Sequence, residues 1–208
     1  AEFIHSQMGL PFVQLSAADL YDRINGGADN GSLLEHGMAE MLKRGVGTAA
    51  TCGTLWRRGM QNASADERRQ YMTTEAYLCP TFAHCMSAVL SGFALVSGIM
   101  WYNNFDTDAQ GWLPLSGQGR PGGHAVFGYK PTARMIGGRT VYGIWHQNSW
   151  TTRFGMGGRC VFASSLYSGP VGGWFAMRQM VDRGGDMPKP KFPDVSMWDD
   201  GKLPVPPL

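Results

Sequence analysis

The chain has 208 residues, 43% of them apolar and 16% charged, with 29 glycines, 10 phenylalanines and 7 tryptophans. That length builds a proper core in one two-lobed domain or in two small domains, and the many aromatic residues exclude a disordered chain. The net charge of +2, with Lys and Arg scattered among Asp and Glu, gives no basis for nucleic-acid binding.

Helix-capping patterns organise the first half of the sequence. Ser16 lies ahead of an apolar stripe at helical spacing and is expected to begin a helix. Residues 32–35 form a capping box, in which the Ser hydroxyl accepts from the Glu N–H and the carboxylate reaches back. This pattern predicts a helix that ends at Gly45. A third pattern, at residues 64–67, predicts a charged and exposed helix.

A long apolar stretch follows in the middle of the chain, where residues 76–105 contain no Lys, Arg, Asp or Glu. It has the length of a membrane span, but a proline and two glycines interrupt it and no basic residues flank it. We therefore expect no membrane span. The stretch predicts a helix over residues 80–91, stopped by Gly92, and then a buried strand over residues 93–102.

The four cysteines show no Cys-x-x-Cys spacing, so we expect no zinc site. Cys79 and Cys85, with His84 between them, allow metal binding in principle, but two buried thiols or a disulfide are the favoured interpretations. No motif in the sequence indicates a cofactor.

The second half changes to strands and turns. Residues 124–129 and 141–147 are predicted strands, and Gly137-Gly138 marks a turn between them. Helices followed by strands indicate the α+β class with two segregated lobes.

The predicted domain covers residues 1–183, with a helical lobe over about residues 1–92 and a sheet-rich lobe over about 93–183. Residues 184–208 hold six of the twelve prolines and are expected to be extended, because proline fixes φ and removes a hydrogen-bond donor. This tail is either a strap or loose end of its own domain or an arm that grips a partner.

Two residues of the second half fit a thiol–imidazole mechanism. His124 begins the first predicted strand, and Asn148 follows the second, with Ser149 and Trp150 after it. In such a mechanism the imidazole takes the proton of a cysteine, and a side-chain amide on the far ring nitrogen fixes its tautomer and orientation. An aromatic ring beside that contact keeps water from competing for it.

These residues and several others resemble the papain-like cysteine peptidases. The matching pieces, in chain order, are Leu15-Ser16 with Leu20 and Asp22, Asn30-Gly31-Ser32, Gly123-His124-Ala125-Val126, Asn148-Ser149-Trp150, and Gly155 with Gly158. The resemblance runs from residue 1 to about residue 167. It implies a two-lobed fold, with a helical N-terminal lobe and an antiparallel β-barrel-like C-terminal lobe.

The resemblance also implies a role for each matching residue. His124 would be the general base and Asn148 its orienting partner. Trp150 would shield their hydrogen bond, and Ser149, between Asn148 and Trp150, would be a further supporting residue of the site. A groove that pairs with the substrate backbone is implied for three neighbouring residues of the first half, Asn30, Gly31 and Ser32.

The family's nucleophile motif, Cys-Gly-Ser-Cys-Trp, does not occur in the sequence. In papain-type enzymes the nucleophile precedes the His and Asn by about 130–150 residues, which here corresponds to about 6–26 residues ahead of Ala1. Cys85 keeps the order Cys, His, Asn but lies in a predicted apolar helix, where thiolate formation is disfavoured. We therefore expect the nucleophile outside this chain, and an upstream segment or partner chain in the place of the missing helix.

Two functions from different classes remain open. The first is a papain-like cysteine peptidase acting on peptide or protein substrates, represented here without its nucleophile-bearing segment. The alternative is a catalytically inactive papain-like domain that serves as a structural or binding component of a larger assembly. The His124 and Asn148 pair favours the peptidase, whereas the missing nucleophile and the proline-rich tail favour the alternative.

Overall fold

The computed structural model describes residues 11–58, 60, 62–167 and 173–178. Within them the chain divides into two compact units, the first with residues 11–77 and 177–178 and the second with residues 78–176. The predicted proline-rich tail, residues 184–208, lies outside the described residues.

The described part of the first unit is mainly helical. Its helices are α1 (Ala17–Ile24), α2 (Leu34–Lys43), α3 (Ala49–Cys52) and α4 (Ala65–Arg69). Strand β1 (Glu75–Leu78) follows α4, and the boundary between the two units falls within it.

Two of the three predicted caps in this unit are confirmed and one is wrong. The Ser16 hydroxyl accepts from the Asp19 N–H at the start of α1, and Ser64 caps α4 in the same way. Helix α2, however, begins one residue later than the capping box requires. Its N-cap is Leu33, in an extended conformation and without a side-chain hydrogen bond, so Ser32 lies outside the cap position. Its predicted end is confirmed, since Gly45 follows the C-cap with φ +73°.

A buried carboxylate holds this unit together. Asp19 in α1 is completely buried, and its Oδ2 accepts from the Gly47 N–H at 2.9 Å and from Arg23 Nη2 at 3.1 Å. Arg23 also donates to Glu40 Oε2 and to the Gly45 carbonyl, both at 2.7 Å. Because a buried charge is costly unless it is paired, this network fixes α1 against α2 and the loop that follows α2.

The second unit contains one helix and most of a six-stranded sheet. Its elements are α5 (Phe82–Leu90), β2 (Ala94–Trp101), β3 (Gly122–Ile136), β4 (Arg139–Gln147), β5 (Arg159–Ala163), a 3₁₀ turn (Ser164–Tyr167) and β6 (Trp174–Arg178). The strand order is β1-β6-β2-β3-β4-β5, and the pairs from β2 to β5 are antiparallel. The predicted α+β class with an antiparallel sheet is confirmed, although the sheet stays open, with β1 and β5 at its edges.

The apolar stretch in the middle of the chain forms the predicted helix and strand. Thr81 caps α5 through its hydroxyl, Gly92 follows the helix with φ +83°, and β2 comes next. Helix α5 contacts β2 and β3 and buries Met86 against a core of large side chains. Other members of this core are Phe93, Leu95, Ile144, Phe162 and Trp174. None of the helices described is long and apolar enough to cross a membrane.

The predicted hairpin is present and longer than expected. Strands β3 and β4 are joined by Gly137 and Gly138, both with positive φ, as the turn signal predicted. The pairing shifts by one residue between Gly128 and Lys130, so the ladder continues past Tyr129. This hairpin determines where the two candidate catalytic residues lie.

Candidate active site

The His124 and Asn148 side chains form a hydrogen bond in the second unit. His124 lies near the start of β3, and Asn148 directly follows the last residue of β4. In the antiparallel pairing Phe127 lies opposite Gln147, which brings the start of β3 alongside the end of β4. The distance between His124 Nε2 and Asn148 Oδ1 is 3.0 Å.

This contact fixes the tautomer of the imidazole. An amide oxygen can only accept, so Nε2 of His124 carries the hydrogen and donates it to Asn148. The other ring nitrogen, Nδ1, is then unprotonated in the neutral ring. Among the described residues Nδ1 has no hydrogen-bond partner. A neutral His124 therefore presents a free basic nitrogen.

Asn148 is held by the loop that follows it. It is only 2% exposed, its backbone N–H donates to the Gly158 carbonyl at 2.9 Å, and Gln147 Nε2 donates to the carbonyls of both Asn148 and Gly158. The loop needs glycine at Gly155, where φ is +51° and a Cβ would lie 2.3 Å from the Arg159 carbonyl oxygen. The glycine at this position therefore supports the loop that fixes the backbone of Asn148.

Aromatic rings surround the imidazole on more than one side. The ring of Trp150 lies 5.2 Å from that of His124 at an interplanar angle of 34°, and Trp101 makes an edge contact at the same distance. Phe154 contacts both tryptophans. Trp150 is 48% exposed and Ser149 is also exposed, so Trp150 forms the outer wall of this cluster.

A second histidine, His146, lies in β4 two residues before Asn148 and is completely buried. Its Nδ1 donates to the Ile144 carbonyl at 2.8 Å, so Nε2 is the acceptor for the hydroxyls of Tyr167, at 3.1 Å, and Ser97, at 3.3 Å. The ring stacks on Phe162. Burial lowers the pKa of His146 to about 4, so the imidazole is neutral at ordinary pH.

Gly128 is required where β3 passes this histidine. A Cβ at Gly128 would lie 2.8 Å from Nε2 of His146 and 3.2 Å from the Cβ of Leu95. We expect Gly128→Ala to lower the free energy of unfolding by about 1–3 kcal/mol, because overpacking a tight core costs that much. Denaturant titration measures the loss. Gly122→Ala is the matched control in the same strand, since a Cβ there meets nothing within 4 Å; equal losses in the two variants would contradict the prediction.

The three predicted groove residues, Asn30, Gly31 and Ser32, lie in the first unit, in the exposed loop between α1 and α2. Gly31 has φ +81°, and its N–H donates to the Tyr21 hydroxyl at 3.0 Å. The structure thus brings together His124, Asn148 and Trp150 within one unit, while these three residues belong to the other.

Comparisons with known proteins identify the fold. No family model and no curated protein matches the chain. Xylellain, a cysteine protease from Xylella fastidiosa, matches with a TM-score of 0.65 at 18% identity, over 86% of this chain and 75% of that chain. Bromelain from Ananas comosus, in complex with the E64 inhibitor, matches with a TM-score of 0.58 at 17% identity, over 80% and 79%. Procathepsin B from Trypanosoma congolense matches with a TM-score of 0.64 at 15% identity, over 86% of this chain and 65% of that chain. The chain has the papain-like fold.

The thiols of this papain-like fold are almost all closed to solvent. Cys79, Cys85 and Cys160 are at most 3% exposed, and Cys52 is partly buried. The hydrogen bond with Cys79, together with burial, raises the pKa of Cys85 far above its ordinary value, and burial raises the pKa of Cys160 to about 12. Burial also raises the pKa of Cys52. The bond from Cys85 lowers the pKa of Cys79, but that thiol is inaccessible.

Sequence reasoning missed Trp101, Phe154 and His146. A signal existed for His146, because a period of two along β4 places it on the same face of the strand as Asn148. Trp101 could not be placed near His124 from the sequence, because its position depends on the register between β2 and β3. In that register Trp101 lies opposite Gly122 and Ile99 lies opposite His124. Within the described residues no group of three or more His, Cys, Asp or Glu side chains is placed to hold a metal ion.

Proposed function

We propose that this chain supplies the general base and its orienting amide to a papain-like cysteine peptidase. The observation that carries the proposal is the 3.0 Å hydrogen bond from His124 Nε2 to Asn148 Oδ1, which leaves Nδ1 free to take a proton. The papain-like fold, shared with several cysteine proteases, adds support. The substrate class is peptides or proteins.

In the proposed reaction Nδ1 of His124 takes the proton of a cysteine thiol. The resulting thiolate attacks the carbonyl carbon of the peptide bond. The C–N bond then breaks, the imidazolium gives its proton to the departing amine, and the acyl group remains on the cysteine as a thioester. Water, deprotonated by the same Nδ1, hydrolyses the thioester and regenerates the thiol. Asn148 holds the ring in one tautomer and orientation throughout, and Trp150 limits the access of water to the Nε2–Oδ1 contact.

We assign the thiol to a segment or partner chain outside these 208 residues. Cys79, Cys85 and Cys160 are buried in the core of the second unit, and a nucleophile must reach its substrate. Cys52 is partly buried with a raised pKa, which disfavours its thiolate. In the same proposal the exposed loop residues Asn30, Gly31 and Ser32 pair with the substrate backbone.

Mass spectrometry and a thiol-directed inhibitor test the peptidase proposal on the protein as it is purified. We expect an intact mass well above 22.7 kDa, or a second co-purifying peptide, and one cysteine on the additional segment labelled by E64. Labelling should be slower in His124→Ala because its base is missing. A mass of 22.7 kDa with no labelled cysteine would contradict the peptidase proposal. A label on one of the four cysteines of this sequence would instead refute the assignment of the thiol to another segment.

The second candidate function is a non-catalytic papain-like domain that acts as a structural or binding component of an assembly. The observation that favours it is that the chain's own thiols are buried or have raised pKa values. It predicts that the purified protein hydrolyses no peptide, resists E64, and co-purifies with a partner that lacks a reactive cysteine.

A further inference from the structure

His124 lines a cavity of about 460 Å³ within the second unit. Trp101 and Trp150 form aromatic walls, and Asn103 and Arg120 line the same space. Arg120 and His124 are separated by Pro121 and two glycines, and a Cβ at Gly122 would meet nothing within 4 Å. Pro121 contributes the one side chain between the cation and the imidazole, and the open space at Gly122 leaves room there for a bound group.

Arg120 is the charged residue of this cavity, and no Asp or Glu of the described chain lines it. Its guanidinium is permanently positive, and within the described residues it makes no ion pair or hydrogen bond. Five other arginines differ, since each is paired with a carboxylate, namely Arg23, Arg44, Arg68, Arg69 and Arg134. An unpaired cation beside a base and two indoles creates a local preference for an anion.

We propose that this cavity is a carboxylate-binding subsite, in which Arg120 holds an anionic group of a peptide next to His124. A planar guanidinium binds a carboxylate with two parallel hydrogen bonds, the amide of Asn103 offers a further donor, and the indoles cover the apolar part of the peptide. The inference rests on the proposed function for the identity of the ligand as a peptide. The carboxylate comes from the side chain of an acidic residue or from the C-terminus of the peptide.

Equilibrium binding of short peptides tests the subsite without any need for turnover. One pair of probes, Ala-Ala-Glu amide and Ala-Ala-Gln amide, differs in a side-chain carboxylate. The other pair, Ala-Ala-Ala free acid and its amide, differs in the C-terminal carboxylate. The readout is the tryptophan fluorescence of the intact protein. We expect the charged member of one pair to bind about tenfold more tightly, the usual range for a charge-assisted contact at a partly exposed site. The preference should weaken as salt is added. The pair that shows it identifies the source of the carboxylate.

Arg120→Gln should abolish the preference, while Arg139→Gln, which removes the same charge from an exposed position in the β3–β4 hairpin, should retain it. Equal binding of charged and neutral peptides by the unaltered protein would overturn the subsite, as would a preference that survives in Arg120→Gln. These outcomes are independent of catalysis. If E64 labels a cysteine but Arg120→Gln changes nothing, the subsite fails and the peptidase proposal stands; if no peptide is hydrolysed, the binding preference still decides the subsite.

Discussion

Replacing His124 with alanine is expected to lower kcat/KM for peptide hydrolysis by about 10²–10⁴-fold in the intact protein. A positioned general base contributes that much to proton transfer, and Nδ1 of His124 has no hydrogen-bond partner in the described part of the chain. The same change leaves Oδ1 of the buried Asn148 without this hydrogen bond, so the free energy of unfolding should fall by about 1–3 kcal/mol. Initial rates on a fluorogenic peptide measure the first effect, and denaturant titration measures the second.

The exposed His36 in α2 provides the matched control, because His36→Ala makes the same chemical change at a residue of the first unit that has no role in the proposed reaction. Asn148→Ala should lower kcat/KM less than His124→Ala does, since the base remains but its ring is free to adopt either tautomer. A peptidase that keeps full activity in His124→Ala, or that loses as much in His36→Ala, would contradict the role assigned to His124.

The second large effect is a loss of stability in acid that originates at His146. Burial lowers its pKa from the ordinary 6.5 to about 4 in the folded protein, so the unfolded chain binds the proton more strongly. The contribution of neutral His146 to the free energy of unfolding is complete above about pH 6.5 and falls as the pH decreases toward 4. At 1.36 kcal/mol for each pKa unit, the loss between pH 7 and pH 4 is about 3 kcal/mol.

His146→Gln removes the titrating group while keeping an amide that can bond the Tyr167 and Ser97 hydroxyls. Denaturant titrations at pH 7 and pH 4 should show a smaller loss of unfolding free energy in this variant than in the unaltered protein, by about 3 kcal/mol. His36→Gln should leave the loss unchanged, because His36 is exposed. If His146→Gln has the same pH dependence as the unaltered protein, another group is responsible.

Local chemistry explains which parts of the fold the sequence could predict. The caps at Ser16 and Ser64 and the stops at Gly45 and Gly92 depend on neighbours within a few residues, and the structure confirms all four. The capping-box prediction at residues 32–35 was wrong by a single position, because α2 begins after Leu33, whose side chain makes no capping hydrogen bond. A matching pattern alone therefore does not fix the first residue of a helix.

Long-range pairing explains most of what the sequence could not predict. Strand β3 was expected to end at Tyr129, but beyond that point it continues and pairs with β4 alone. Pro131, which has no N–H to donate, is tolerated there because that part of β3 has a neighbouring strand on one side only. The edge strands β1 and β5 were not predicted, because their stability comes from the strands beside them. The contact between His124 and Asn148 was inferred from the family resemblance, and the rings of Trp101 and Phe154 around it come from segments distant in sequence.

The β3–β4 hairpin also bears on how the candidate site is acquired during folding. His124 and Asn148 are 24 residues apart, and the chain between them is the hairpin itself, closed by Gly137 and Gly138. Loop-closure entropy grows slowly with length, at about 0.6 kcal/mol for each doubling, and pairing from the turn keeps every closure step short. We therefore expect base and amide to meet by pairing that spreads from the turn, and their separation depends on the hairpin register, including the one-residue shift between Gly128 and Lys130.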